Sequence, residues 1–159
     1  MTEDEYVRAV KRSGRRVYLL AFSYTRNRYD AEDIMQNTFM KLWKSDEPFE
    51  SDAHLDRWLT RVCVNECKDF FRLSFRKNAP LEEAEEAAVF DAHFNTDLFL
   101  AVSSLGKKER LAVHLFYYED LPIAEIADLM NTKEGTVKSL LHRARKTLKA
   151  KLGDEWINE

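Results

Sequence analysis

Apolar residues recur at helical spacing along most of this 159-residue chain, and no stretch shows the strict alternation of a half-buried strand. From Glu5 to Thr25, Val7, Val10, Val17, Leu20, Ala21 and Tyr24 mark one face of a long amphipathic helix, despite Gly14. A second helix is predicted over Asp30–Lys44, with Ile34, Met35, Thr38, Leu42 and Trp43 in one broad stripe. The run from Asp46 to Asp52, with Pro48 in it, breaks the period and reads as a loop. A third helix, from about Ala53 to Arg76, carries Leu55, Trp58, Leu59, Val62, Cys63, Phe70 and Leu73 as its apolar contacts. Lys77–Asn95 has no period: Asn78-Ala79-Pro80 precedes four Glu within five residues, the composition of a flexible acidic linker. Leu98–Leu105, Lys107–Tyr118, Pro122–Met130 and Lys133–Ala150 then predict a compact second bundle. The expected fold class is all-α: two small helical domains, at 1–77 and 97–152, joined by a linker at 78–96 and followed by a tail at 153–159.

The last two helices are the most informative part of the pattern. Ile123, Ile126, Ala127 and Met130 give the shorter one a single apolar face, and Pro122 suits its first turn, where a missing N–H is harmless. Asn131 stands where the chain must reverse, and Asn tolerates positive φ better than most residues. Thr132 is a good N-cap for the longer helix, and Glu134 suits the positive end of its dipole. On a wheel at ~100° per residue, Val137, Leu140, Leu141, Ala144 and Leu148 gather on one side. Lys138, Ser139, His142, Arg143 and Lys146 gather on the other, and Gly135 keeps the start of that side low. A buried face backed by a basic, small-residue face is what a helix needs to enter a DNA major groove. The plainer alternative is a surface helix whose cations keep it soluble.

Charge sharpens this picture. The net charge of −3 hides blocks: residues 1–28 sum to +4, 29–56 to −6, 57–80 to +4 and 81–106 to −6, while 132–151 carries seven Lys/Arg against one Glu. Such segregation points to partners of both signs, and the overall acidity argues against strong free binding to DNA. Cys63 and Cys67, four apart on a helix, have no further Cys or His at finger-like spacing, and a disulfide across one turn is awkward. They read as small buried residues in a reducing cytoplasm, and neither a metal nor a cofactor is expected. Met1–Tyr6 is acidic with no apolar h-region after it, so no signal peptide is expected, and no apolar run approaches membrane-spanning length. With no Gly-rich phosphate loop, nucleophile motif or paired carboxylate–histidine site, an enzyme is not expected, and no small-molecule substrate with it.

The segment Tyr18 to Trp43, with Asp30-Ala-Glu-Asp-Ile-Met-Gln-Asn-Thr-Phe39 at its centre, resembles region 2 of bacterial RNA polymerase sigma factors. Ser104-Leu-Gly-Lys-Lys-Glu-Arg110, Glu125-Ile-Ala127, Gly135-Thr-Val-Lys-Ser139 and Arg143-Ala-Arg145 resemble region 4. Two such regions and a short linker are similar to the extracytoplasmic-function (ECF) subfamily, and the likeness covers about residues 5–76 and 98–150.

The resemblance implies a factor that binds core RNA polymerase, at its β′ clamp and β flap, and directs it to promoter DNA. Asp33, Gln36, Asn37, Phe39 and Met40 match the helix that docks on the clamp, Met40 being a flexible apolar side chain suited to a partner's groove. Phe49, Ser51, Asp52, Ala53 and Asn65 match the segment that captures unpaired bases of the −10 element, with Arg57, Arg61, Lys68, Arg72, Arg76 and Lys77 available for phosphates. Glu50, Asp52 and Asp56 make that loop more acidic than the family's usual form, and Trp58 is read as core, with base stacking as the alternative. Thr132, Gly135, Thr136, Lys138, Ser139, His142, Arg143 and Lys146 match the −35 duplex reader, where Leu140 replaces a common Arg. His142 suits a base contact or a solvated surface equally well. The family context also implies an anti-sigma factor, for which some of Phe116, Tyr117 and Tyr118 are available, and a cytoplasmic location. The rival reading is a stand-alone helix-turn-helix regulator, which would bind palindromic operators tightly without polymerase.

Overall fold

The computed structural model describes residues 1–74 and 96–153, which fall into two compact units on either side of the Leu81/Glu82 boundary. Every regular element among the described residues is helical. The expected linker, apart from Thr96, and the tail beyond Gly153 lie outside the described residues.

Three mutually packed helices build the N-terminal unit: α1 (Glu3–Thr25), α2 (Arg28–Lys44) and α3 (Asp52–Ser74). Helix α1 starts in a capping box. Glu5 N–H donates to Thr2 Oγ1 at 3.1 Å, and Thr2 N–H donates to Glu5 Oε2 at 2.8 Å. Hydrogen bonding to Thr2 holds the Glu5 carboxyl below its ordinary range. At its other end Arg26 turns left-handed at φ 54°, and Asn27 Oδ1 accepts from Asp30 N–H at 3.0 Å, so α2 begins two residues before the Asp30 start expected from its apolar pattern. The core between them is Val17, Leu20, Ala21, Ile34, Phe39, Leu42, Leu59, Cys63, Val64 and Cys67. Thr38 joins it because its hydroxyl donates to Ile34 C=O at 2.8 Å. Cys63 and Cys67 are free thiols; the hydrogen bond between them, with burial, pushes the Cys67 thiol well up, which makes it a poor nucleophile.

The C-terminal unit comprises α4 (Thr96–Ser103), α5 (Lys107–Val113), a π-helical turn (His114–Tyr118), α6 (Ile123–Met130) and α7 (Glu134–Leu152). Helix α4 therefore starts at Thr96, one residue inside the segment expected to be linker. The helix expected to run unbroken from Lys107 to Tyr118 instead widens after Val113. Glu119 N–H reaches back to His114 C=O at 3.0 Å, a five-residue step. Helix α7 packs on α4, α5 and α6 through Val137, Leu140, Leu141 and Ala144.

Between α6 and α7 the chain reverses at Asn131, left-handed at φ 53°. Thr132 N–H closes on Ala127 C=O at 2.9 Å and Asn131 N–H on Asp128 C=O at 3.1 Å, the paired bonds of a Schellman turn. This displaces one expectation. Thr132 is drawn into the turn, so Lys133 occupies the N-cap position of α7 and no side chain caps it. The left-handed turn generates a prediction: Asn131→Val should destabilise the C-terminal unit by about 1–2 kcal/mol, whereas Asn131→Gly should leave its thermal unfolding unchanged or improved. Equal unfolding of the two variants would contradict it.

Candidate nucleic-acid and partner interfaces

Helix α2 lies against both α1 and α3, and its outward face mixes polar side chains with a few large apolar ones. Asp33, Gln36, Asn37 and Met40 are all exposed, Met40 at 51%. Phe39 is not among them: at 4% exposure it belongs to the core. Its place as a surface contact is corrected to one of support, since a helix packed on two neighbours buries a stripe wide enough to take in position 39. Trp43, which the periodicity put in the buried stripe, is instead 51% exposed, with its ring edge-to-face against Tyr6 at 5.0 Å. It continues the Asp33–Gln36–Met40 row by one turn, and only the arrangement of α1 beside α2 reveals it. Desolvation, with the neighbouring Asp33 charge, raises the Asp30 carboxyl at the start of this helix. Lys41 forms an ion pair with Glu66, tying α2 to α3 beside Asn65.

The loop before α3 is built rather than loose. Ser51 Oγ accepts from His54 N–H at 3.1 Å and caps α3, while Glu50 N–H donates to His54 Nδ1 at 3.2 Å. The Phe49 ring stands edge-on to His54 at 5.4 Å and to Trp58 at 5.5 Å. Trp58 is half-buried, between the core and stacking alternatives. Ser51 and Asp52, expected at the DNA surface, both have structural partners: Ser51 the helix N-terminus, and Asp52 the Arg12 guanidinium at 3.0 Å. Ala53 is exposed. Along α3, Arg57, Arg61, Asn65 and Arg72 are exposed and Lys68 is half-buried, so the expected residues share one basic stripe. Burial and the nearby Arg61 lower the Lys68 ammonium, an effect Asp69 partly offsets. Arg72 is ion-paired with Asp69, one helical turn away. Arg76 and Lys77 lie outside the described residues.

Helix α7 separates its faces as the wheel drew them, except that Leu148 on the apolar side is only half-buried. Val137, Leu140, Leu141 and Ala144 are at most 5% exposed. Gly135, Thr136, Lys138, Ser139, His142, Arg143 and Lys146 are exposed, and Thr132 is half-buried at the turn. Leu140, where the resemblance led one to expect Arg, is a core residue. Arg143 has one distant carboxylate, Glu109 at 4.0 Å, and is otherwise directed outward. A cation the pattern did not single out, Arg145, lies elsewhere. Its Nε donates to Tyr117 Oη at 2.6 Å, and its guanidinium lies 5.6 Å from the ring centres of both Phe116 and Tyr117. The π-helical turn aims these rings at α7, which no periodicity signals.

Among the described residues no group of His, Cys, Asp or Glu is placed to hold a metal ion, and no helix is long and apolar enough to cross a membrane.

Comparison with known proteins agrees with this division. Residues 9–76 match the family model of sigma-70 region 2, and residues 96–148 match that of sigma-70 region 4. The chain is 31% identical over 141 residues to the RNA polymerase sigma factor SigV of Bacillus subtilis, covering 87% of this chain and 85% of that protein. It is 32% identical over 146 residues to the ECF RNA polymerase sigma factor SigM of Mycobacterium tuberculosis, covering 90% of this chain and 74% of that protein. The ECF sigma factor SigE of Mycolicibacterium smegmatis is 31% identical over 151 residues, of which the alignment covers 88% of this chain but 58% of SigE. In fold the chain is similar to the sigma factor RpoE of Bartonella quintana, crystallised with the anti-sigma factor NepR. The TM-score is 0.71 at 21% identity, over 95% of this chain and 98% of that one.

The position of Arg145 generates a prediction. Arg145→Met should cost the C-terminal unit about 1 kcal/mol in unfolding through the lost hydrogen bond and ring contacts, and leave affinity for duplex DNA unaltered. A fall in affinity with unchanged stability would put Arg145 on the DNA face instead.

Proposed function

The chain belongs to the ECF group of RNA polymerase sigma factors, and on that premise we propose how its two units divide the work of promoter recognition. The N-terminal unit docks on the polymerase clamp through the α2 row Asp33, Gln36, Asn37 and Met40, lengthened by Trp43. The loop around Phe49 and the α3 stripe then hold the unpaired −10 strand. The C-terminal unit sits at the polymerase flap and reads the −35 duplex with α7. The chain acts by binding, in the cytoplasm where its polymerase works.

The observation that carries this reading is the two-faced helix α7, whose basic face is exposed from Gly135 to Lys146 behind a fixed left-handed turn. Lys138, Ser139 and His142 lie near the start of that face, where a recognition helix meets base edges. Lysine offers guanine O6/N7 a point donor rather than a fork, so its discrimination is softer than that of Arg. Arg143 and Lys146 suit phosphates. On α3, unstacking a base costs a few kcal/mol, which aromatic contact and a cationic backbone path offset. Phe49 and Trp58 beside Arg57 and Arg61 supply both kinds of group. The complex of the Bartonella protein with the anti-sigma factor NepR supports an anti-sigma partner here too.

The alternative of a self-sufficient regulator makes opposite demands on affinity. With a net charge of −3 the free chain has little non-specific attraction to duplex DNA. It should bind promoter DNA weakly alone, and give start-site-specific transcription once core polymerase is added. In that complex Lys138→Ala should cost about 1–3 kcal/mol at one −35 base pair and relax the preference there, while Lys146→Ala should weaken binding evenly and lower the salt slope by about one. Asp33→Ala with Gln36→Ala should weaken association with core polymerase while helicity is retained. Tight, palindrome-specific binding by the chain alone, indifferent to polymerase, would overturn the proposal.

A further inference from the structure

Helices α1 and α3 meet along a polar ladder as well as an apolar seam. Arg12 forks onto the first turns of α3: Nη1 lies 3.0 Å from Asp52 Oδ2, and Nη2 lies 2.8 Å from Asp56 Oδ1. The buried hydroxyl of Ser13 donates to the same Asp56 oxygen at 3.0 Å. One turn on, Arg16 donates to Thr60 Oγ1 at 2.8 Å and to Asp56 C=O at 3.2 Å. Two of the three carboxylates that make the capture loop acidic are thus engaged by α1, and Glu50 remains exposed.

The ladder grips the turn from which the loop hangs. Ser51 and His54 cap that turn, and Phe49 rests on His54 and Trp58. A cleft of about 860 Å³ opens between α1 and the loop, with Ala9 and Arg12 on one wall and Phe49, Ser51 and Asp52 on the other. The Arg12 fork joins the two walls. It also cancels carboxylate charge that would otherwise repel a phosphate backbone. The apolar seam of Val17, Leu59, Cys63 and Val64 holds the helices together without it.

We propose that Arg12 is a positioning residue for −10 recognition: its bidentate grip on Asp52 and Asp56 fixes the Phe49–Ala53 loop in the conformation that discriminates among −10 bases. The inference rests on the reading of that loop as the capture site.

The test uses holoenzyme assembled from core polymerase and the full chain, on promoters with a fixed −35 element and −10 bases varied one at a time. Open complex is read from permanganate reactivity of unpaired thymines. Arg12→Gln should shrink the ratio between the best and worst −10 sequences on the order of three- to tenfold, with core binding and −35 occupancy unchanged. Arg12→Lys, which keeps the charge but not the fork, should fall between, and Asp52→Asn should act in the same direction more weakly. Phe49→Ala in the same assay separates the two claims. If it leaves −10 preference intact, the capture reading itself fails. If Phe49→Ala lowers the preference while Arg12→Gln and Asp52→Asn do not, or lower opening equally at every sequence, the positioning role is overturned. Should Arg12→Gln lose helicity, Arg12→Lys, which keeps the charge and loses the fork, decides instead.

Discussion

Each helix of this protein has one face to bury, and that constraint governs everything else in the molecule. A small bundle of three or four helices offers each member a single apolar seam, so whatever lies off the seam faces outward. Helix α2 gives Ile34, Thr38, Phe39 and Leu42 to the core and is left with Asp33, Gln36, Asn37 and Met40 outside. Helix α7 gives Val137, Leu140, Leu141 and Ala144, and is left with a basic face. The core holds these outward faces in place, and side chains fixed before binding lose less entropy on meeting a partner.

The outward faces also differ in charge. The α2 row is acidic and amide-rich with one apolar end, which suits a protein surface. The α3 stripe and α7 are cationic, which suits nucleic acid. Several charges that would blur this division are engaged by other side chains of the same unit. Arg12 and Arg16 take up Asp52 and Asp56, Lys41 takes up Glu66, and Arg145 is held by the rings of Phe116 and Tyr117. Pairs this exposed add little stability individually, and their larger consequence is to decide which charges face a partner.

Local periodicity made much of this legible in the chain. The two faces of α7 and the reversal at Asn131 follow from spacing and from the few residues that tolerate positive φ, and both match the structure. What spacing missed depends on neighbours distant in sequence. Phe39 is buried because α2 packs on two helices at once, and Trp43 is half exposed with Tyr6 of α1 as its ring partner. Asp52 and Asp56 looked like free loop charge because their partners sit some forty residues upstream. Thr132 looked like a cap because Thr favours N-caps, but the turn takes it as the residue after Asn131 and leaves Lys133 at the cap. The π-helical turn at His114–Tyr118 has no periodic signature at all, and with it the role of Arg145 stayed hidden.

Photocrosslinking in the assembled promoter complex tests the central claim, that opposite working faces are held by separate helices. A photoreactive side chain is placed at Met40 in one variant and at Ser139 in another, each bound to core polymerase on promoter DNA. Position 40 should label a polymerase subunit and no DNA, and position 139 should label the upstream duplex. DNA labelled from position 40, or polymerase alone labelled from position 139, would contradict it.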